Sequence, residues 1–420
     1  MTGRAAQGGL AEIDGPLEAL SGFADRGVRA GRRLWSGLIG LPWWAQVGLV
    51  WLLGRLHVLV WTLIVLQHQE PLPALPNPGT YFDYASIWDG GLYQRIHDEG
   101  YPSVLPITES GQIGGSQWAF LPVYPFLVRG ITAVTGLSWP VAATSVSALA
   151  CLGFLLVAYR FFRLRADHAA ALTAVAIISF ATTAPVLQFA YAESLAFLLV
   201  AGALLLISQQ HYLLAAPVVL LAALTRPLGA PLFGLTLVVA VTSIWTARRS
   251  GRPLRLGGLA VLVLAGGVSA VAWPVIAAVV TGVPNAYLAT EAAWRGGLIL
   301  RPLDAYVGSL AALLGPFSAF AAVVGVLAVA AVMLSRPVLR LGLVVWTWVG
   351  MVLGYLVLVA PVSTSLPRLL GAAFPLAAAA AGASSSRAYR WLLVLAGAAS
   401  QIVYLAVLWH LGDGVHDAQP

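Results

Sequence analysis

Few side chains in this protein can do acid–base or ionic chemistry, so where they stand is informative. Asp and Glu together number 16 in 420 residues, and Asp83, Asp89, Asp98 and Glu99 all fall within Tyr81–Tyr101. Asp89 follows Trp88 directly. A carboxylate beside an aromatic ring, on a helix at a membrane surface, can act as general base toward a hydroxyl. An acid simply facing water on such a helix accounts for the same pattern. Asp83 is a second candidate base. Asp98 and Glu99 stand three and four residues after Arg95 and are expected to be its partners.

Three further charges stand in apolar surroundings. Glu193, in Tyr191-Ala-Glu-Ser194, opens a hydrophobic run. An acid there complements a helix dipole, or binds an acceptor, or supports a catalytic base. Arg226 precedes Pro227 at the end of a nearly apolar stretch, and Arg368 lies in Ser365-Leu-Pro-Arg-Leu-Leu370. A guanidinium fork at a membrane corner suits a phosphate; snorkelling to the interface is the alternative for both. Arg295 and Arg301 are candidates to join them. Metal ligation has no support: the histidines are scattered, no His-x-x-x-His occurs, and Cys151 is the single cysteine. Walker and Rossmann fingerprints are absent. An enzyme built this way needs no cofactor but requires an energised substrate already in the membrane, such as a polyprenyl-phosphate sugar.

The elements that must position these residues follow from composition. The chain is 60% hydrophobic and only 9% charged, against about 25% charged in soluble domains, and its mean hydropathy is +0.86. Segments long enough for a roughly 30 Å hydrocarbon core recur along it, without the alternation of a membrane barrel. The fold class is therefore an all-α polytopic membrane protein. Net charge is +7, and every basic side chain is Arg. These arginines lie between apolar segments, where topology needs them, which argues against nucleic acid as a partner and for membrane lipid.

The expected organisation is a cytoplasmic tail at 1–41, a transmembrane domain at 42–411 with an external loop at 67–138, and an external tail at 412–420. The tail at 1–41 lacks the short apolar core of a cleaved signal peptide. About eleven spans fit, at 42–66, 139–159, 168–185, 193–208, 213–225, 227–245, 256–280, 305–334, 341–360, 369–383 and 391–411. The segment Trp118–Val134 is expected in the interface rather than across it. Only then do the arginine clusters at 160–165, 248–255, 336–340 and 387–390 all fall inside with the leader. The external loop also carries an amphipathic pattern over Tyr84–Glu99. Trp88, Leu92 and Ile96 form a stripe predicted to face lipid, and Asp89, Tyr93 and His97 form a neighbouring face. Arg55, inside the first span, should meet protein or a water-filled cavity, paired with a carbonyl or an acid.

Five segments in order resemble a known family. Trp88-Asp89-Gly90, with Tyr93, Ile96 and Gly100-Tyr101, is similar to the first-loop signature of the PIG-V family, the second mannosyltransferases of GPI-anchor synthesis and their bacterial relatives. Phe120-Leu-Pro-Val-Tyr-Pro125 resembles its aromatic-Pro-x-x-Pro segment, and Tyr191-Ala-Glu-Ser194 its Tyr-Ser-Glu-Ser turn. Leu224-Thr-Arg-Pro-Leu-Gly229 resembles its Arg-Pro-Thr-Gly corner, and Arg368-Leu-Leu with Phe374-Pro375 a late Arg-Tyr-Leu…Phe-Pro segment. His97, Leu228 and Leu369 depart from the pattern.

The resemblance implies a GT-C-type fold with two interfacial helices in the first loop. It also implies a metal-independent, inverting mannosyltransferase in the bacterial plasma membrane, with an external active site. The donor would be polyprenyl-phosphate mannose, and the acceptor a glycolipid or polysaccharide. Asp89 would be the base, with Trp88, Tyr93, Tyr101, Glu193 and Asp83 around the substrates and Arg226 and Arg368 on the donor phosphate. A transporter or flippase for a lipid-linked sugar is the rival from another class. It calls for charges along a transmembrane path.

Overall fold

The computed structural model describes residues 40–69, 79–251, 253, 255–294 and 303–409. Most of the expected tail at 1–41, the expected tail at 412–420, and Arg295 and Arg301 lie outside the described residues. Contacts divide the chain into Met1–Leu49 and Val50–Pro420. In the first unit the described part holds only the opening turns of helix α1 (Trp43–Gln67). The second unit holds the rest of α1 and every later element.

Among the described residues the regular structure is helical, with one isolated bridge between Ile107 and Ile113. After α1 come two short loop helices, α2 (Tyr81–Tyr84) and α3 (Asp89–Glu99), and then α4 (Val123–Thr135). The bundle follows as α5 (Trp139–Phe162), α6 (His168–Ser179), α7 (Glu193–Ser208), α8 (Tyr212–Ala223), α9 (Gly229–Ser250), α10 (Leu256–Thr281) and α11 (Ala286–Trp294). The last part comprises α12 (Asp304–Leu314), α13 (Ser318–Leu334), α14 (Arg336–Arg340), α15 (Leu343–Val359), α16 (Leu366–Leu370), α17 (Leu376–Gly382) and α18 (Arg387–Leu408). Six segments are long and apolar enough to cross a membrane: α1, α5, α9, α10, the α12–α13 pair and α18. Helices α4, α6, α7, α8 and α15 are apolar but shorter. This is an all-α, multi-pass membrane protein.

Three expected spans are interrupted. The 305–334 segment breaks at a 3-10 turn, Gly315–Phe317. The 369–383 segment is α16, a 3-10 turn at Gly371–Ala373 and α17. The 168–185 segment ends as a helix at Ser179 and resumes as a 3-10 turn at Ala184–Leu187. That last break frees backbone carbonyls, which must find donors where water is scarce. Arg55 on α1 supplies them, donating from Nη1 to the Ala184 carbonyl at 3.0 Å and from Nη2 to the Ser179 carbonyl at 3.2 Å. On α18, Gln401 Nε2 donates to the Ala181 carbonyl at 3.2 Å. Arg55 thus has carbonyl partners and helps hold a broken helix.

Helix α4 has 13 residues, about 20 Å at 1.5 Å per residue, too short for a span. Helices α5, α7, α8, α10 and α9 pack against one another in that order as the most extensive neighbours. Because α7 begins at Glu193 and α8 ends just before Arg226, those two charges share one end of the bundle. The α7–α8 turn lies at the other end, where Arg255 donates to the Gln210 carbonyl at 3.3 Å.

Candidate active site

The expected helix over Tyr84–Glu99 is two helices with a sharp corner between them. Tyr84 donates its hydroxyl to the Trp409 carbonyl, and the Ala85 carbonyl accepts from the Ala190 amide at 2.8 Å. These anchors fix the chain before the corner. Trp88 then adopts φ 59° and ψ −119°, a conformation that is uncommon for a bulky residue. Asp89 becomes the first residue of α3. Glu193 is likewise the first residue of α7, so both carboxylates sit at the positive end of a helix dipole.

The face of α3 that packs inward is Gly90, Tyr93 and Ile96, all buried. This corrects the expected lipid-facing stripe. Ile96 and Tyr93 lie in one core with Tyr124, Val128 and Trp139 of α4 and α5, and Trp88 packs instead beside Tyr84, Phe189 and Trp409. The helix is covered by protein on that side, and Gly91, Arg95, Asp98 and Glu99 are the exposed residues. The Arg95 pairing also differs. Asp98 lies 2.6 Å from His97 Nδ1, and Glu99 accepts from Gln117 Nε2 at 3.4 Å.

The turn before Glu193 is fixed by its neighbours. Ser147 on α5 donates to the Tyr191 carbonyl at 2.9 Å and is itself hydrogen-bonded to Tyr124. Ser194 donates to the Leu187 carbonyl at 2.7 Å. The Arg226 corner is tied to α4 by the Val123 amide, which donates to the Leu224 carbonyl at 3.2 Å. It can approach α10 because residue 229 is glycine: a Cβ there would come within 2.1 Å of the Ser269 carbonyl oxygen. Arg368 rides on α16, held near α15 by the Trp348 indole donating to the Ala372 carbonyl at 2.9 Å.

From four separate elements, Asp89, Glu193, Arg226 and Arg368 meet. Arg368 Nη1 donates to Asp89 Oδ2 at 2.8 Å, and its Nε lies 3.4 Å from Glu193 Oε1. Arg226 Nη2 lies 3.0 Å from Glu193 Oε1, and its Nη1 lies 3.7 Å from Asp89 Oδ2. Each arginine therefore touches both acids, and two positive charges balance two negative ones. The Tyr93 hydroxyl shares a hydrogen bond with Arg226, and the Arg368 guanidinium stands 5.4 Å from the centre of the Tyr191 ring. Neither carboxylate oxygen of Glu193 has a hydrogen bond of good geometry, nor does Arg368 Nε. Buried Trp88 Nε1 is also without a partner.

Two expected site residues stand apart. Asp83 is used locally, accepting from the Thr80 amide at 2.9 Å and the Thr80 hydroxyl at 2.8 Å in a capping box at the start of α2. Tyr101 packs on Trp118 and Trp273, with ring centroids 4.7 and 4.9 Å away, and donates to the Phe120 carbonyl at 2.9 Å. Burial pushes its hydroxyl well above the usual phenol range, which keeps it a neutral donor. It packs against the core that holds Tyr93, and Phe120, to which it is bonded, has its ring centroid 5.4 Å from that of Tyr93.

Arg368 also forms part of a cavity of about 320 Å³. Apart from Arg368 and Thr183 the walls are apolar. Phe154, Ile178, Leu187, Phe197 and Phe374 are buried side chains of this lining, and Ala377 and Ala380 of α17 also take part in it. The sequence patterns show no sign of this space, because its lining comes from α5, α6, α7, α16, α17 and the turns between them at no regular spacing. The hydrogen-bonding Ser147 and Tyr124 were equally invisible there, being ordinary polar residues among apolar ones.

No protein-family model matches the chain, and no curated protein matches it. Among solved structures the chain is similar to the crystal structure of ArnT from Cupriavidus metallidurans bound to undecaprenyl phosphate. Identity is 18%, the TM-score is 0.48, and the match covers 86% of this chain and 66% of that one, just under two thirds of its length.

Proposed function

We propose that this protein is a membrane-embedded, inverting glycosyltransferase of the GT-C type. It moves mannose or a related hexose from a polyprenyl-phosphate sugar to a hydroxyl of a glycolipid or polysaccharide. The reaction takes place on the outer face of the bacterial cell membrane. The observation that carries this reading is the meeting of two acids and two arginines beside an apolar cavity walled in part by Arg368. Arginines at the end of an apolar space suit a ligand with a phosphate head and an isoprenoid tail. The ordered resemblance to the PIG-V family supports the finer reading of the sugar as mannose. The excess of arginine at the opposite helix ends supports an external site.

In this mechanism Asp89 takes the proton of the acceptor hydroxyl. The oxygen attacks the anomeric carbon opposite the phosphate, which turns a β-linked donor into an α-mannoside. Arg226 and Arg368 stabilise the charge that grows on the leaving phosphate, the task a divalent ion performs elsewhere, so the reading requires no metal. Tyr93 orients Arg226. Trp88 packs in the core beside Tyr84, Phe189 and Trp409 and fixes the corner that presents Asp89 to the substrates. Tyr101 supports Phe120 and Tyr93 from behind rather than touching substrate. The transporter reading gains nothing from Arg55, whose guanidinium is spent on two backbone carbonyls.

The test is transfer by purified protein in lipid nanodiscs, supplied with labelled polyprenyl-phosphate sugars and a membrane lipid extract, in EDTA. The expected result is label passing to a lipid or polysaccharide acceptor, with mannose the preferred sugar. No transfer from any such donor, with a folded protein, sinks the reading.

A further inference from the structure

Asp89 and Glu193 share the same two arginines but are not equivalent. The Glu193 side chain is 2% exposed and that of Asp89 14% exposed. Glu193 is thus the more enclosed of the two acids, and Asp89, beside the corner at Trp88, the more accessible. An anion reaching Arg368 from the accessible side meets Asp89 first, already bonded at 2.8 Å. The four charges balance, so a further anion gains little unless one of the acids leaves. We propose that the donor's phosphodiester takes the place of Asp89 on Arg368 and Arg226. On this proposal Glu193 is the positioning residue that holds both arginines while the exchange occurs. The inference rests on the glycosyltransferase reading above.

Three features support the exchange. A phosphodiester carries one negative charge, as a carboxylate does, so substitution preserves the balance around the guanidiniums, and its oxygens match the same fork of donors. Glu193 has capacity to spare: both its buried oxygens and Arg368 Nε lack a well-formed hydrogen bond. Such groups are costly to leave unmet, and Arg368 can close on Glu193 once Asp89 departs. Finally, the exchange frees the Asp89 oxygen now bonded to Arg368 to accept from the acceptor hydroxyl. Donor binding therefore releases the base, and the acceptor is activated only when a donor is in place.

The transfer balances. The acceptor O–H bond breaks and its proton goes to Asp89. The new bond forms at the anomeric carbon as the bond to the phosphate oxygen breaks, with the electron pair leaving on the phosphate. One proton arrives on Asp89 as one negative charge arrives on the phosphate, so the net charge of the site does not change.

The experiment measures binding without chemistry. Full-length protein in nanodiscs is titrated at about pH 5, below the second phosphate pKa of about 6, with undecaprenyl phosphate, which then carries the single charge of the donor, and with undecaprenol as a phosphate-free control. Wild type, Asp89→Asn and Glu193→Gln are compared after folding is checked by gel filtration and thermal melting. Wild type should prefer the phosphate. Asp89→Asn should bind undecaprenyl phosphate about ten-fold more tightly, since the competing carboxylate is gone, while losing transfer. Glu193→Gln should bind it about ten-fold more weakly and raise donor KM more than it lowers kcat. If Glu193→Gln does not fold, Glu193→Asp keeps the charge and should retain the phosphate preference. Unchanged or weaker binding by folded Asp89→Asn, with wild type still preferring phosphate, overturns the exchange and leaves the enzymatic reading standing. Unchanged binding by folded Glu193→Gln, or loss of the phosphate preference in folded Glu193→Asp, overturns the role of Glu193. Wild type that binds the alcohol as well as the phosphate overturns both the exchange and the reading on which it rests.

Discussion

Arg55 and Arg368 are both buried arginines of this bundle, at 5% and 8% exposure, and they show that a buried charge is not by itself a sign of chemistry. Arg55 is spent on backbone. Its two terminal nitrogens each meet a carbonyl freed where α6 stops at Ser179. No carboxylate is paired with it among the described salt bridges. Arg368 is spent on carboxylates, shares them with Arg226, and borders an apolar cavity. Backbone carbonyls cannot leave and cannot take a proton; a carboxylate side chain is chemically capable of both. The difference between the two sites is therefore one of partners rather than burial.

The strongest test of this contrast is at Asp89. Asp89→Asn keeps the shape and can still accept from Arg368, but it cannot hold the transferred proton. Transfer should fall by about 10²–10⁴-fold, with the melting temperature little changed. Near-normal turnover by the purified variant would remove Asp89 from the role of base. Arg368→Ala should come next, lowering kcat/KM by about 10²–10³-fold, with Arg368→Lys recovering only part because an ammonium lacks the guanidinium fork. Equal activity of the Lys variant and wild type would reduce Arg368 to a point charge.

Arg55→Met should show the opposite profile. It orphans the carbonyls of Ser179 and Ala184, at about 1–3 kcal/mol each, and this should appear as a lower melting temperature and poorer yield. Activity per folded molecule should stay near wild type. A variant that melts normally but loses transfer would place Arg55 in the chemistry and end the comparison as drawn.

Charge scarcity explains how much of this was legible in sequence. In a chain with so few ionisable groups, an acid or arginine inside an apolar context stands out. Asp89, Glu193, Arg226 and Arg368 were singled out on that basis, and the fold brings these four together. Helix positions were legible for the same reason, since apolar runs bounded by arginines are hard to misplace. What could not be read were features set by tertiary contact. The corner at Trp88 depends on Tyr84 and Ala85 being tied to Trp409 and Ala190, more than a hundred residues away. Asp83 resembles Asp89 in sequence, but Thr80 claims it through a local cap. The 168–185 run looks continuous because the residue that repairs its break, Arg55, lies on another helix. Ile96 looked lipid-facing because an apolar stripe has the same pattern whether it meets lipid or protein.

The smallest expected effect concerns the cavity, and it sharpens the contrast from the other side. Ala380 lies on α17 along the cavity wall, beyond the 3-10 turn that follows Arg368. If the space holds the isoprenoid tail, Ala380→Phe narrows it without touching the charges. Burying a few methylenes is worth about 0.8 kcal/mol each, so loss of one or two contacts should raise donor KM several-fold and leave kcat intact. The shift should be seen with a long-chain polyprenyl-phosphate sugar and should vanish with a water-soluble short-chain analogue, whose tail does not reach Ala380. Steady-state kinetics with both donors reads this directly. An equal KM change for the two donors would mean that the substitution acts through Arg368, and that the tail lies elsewhere.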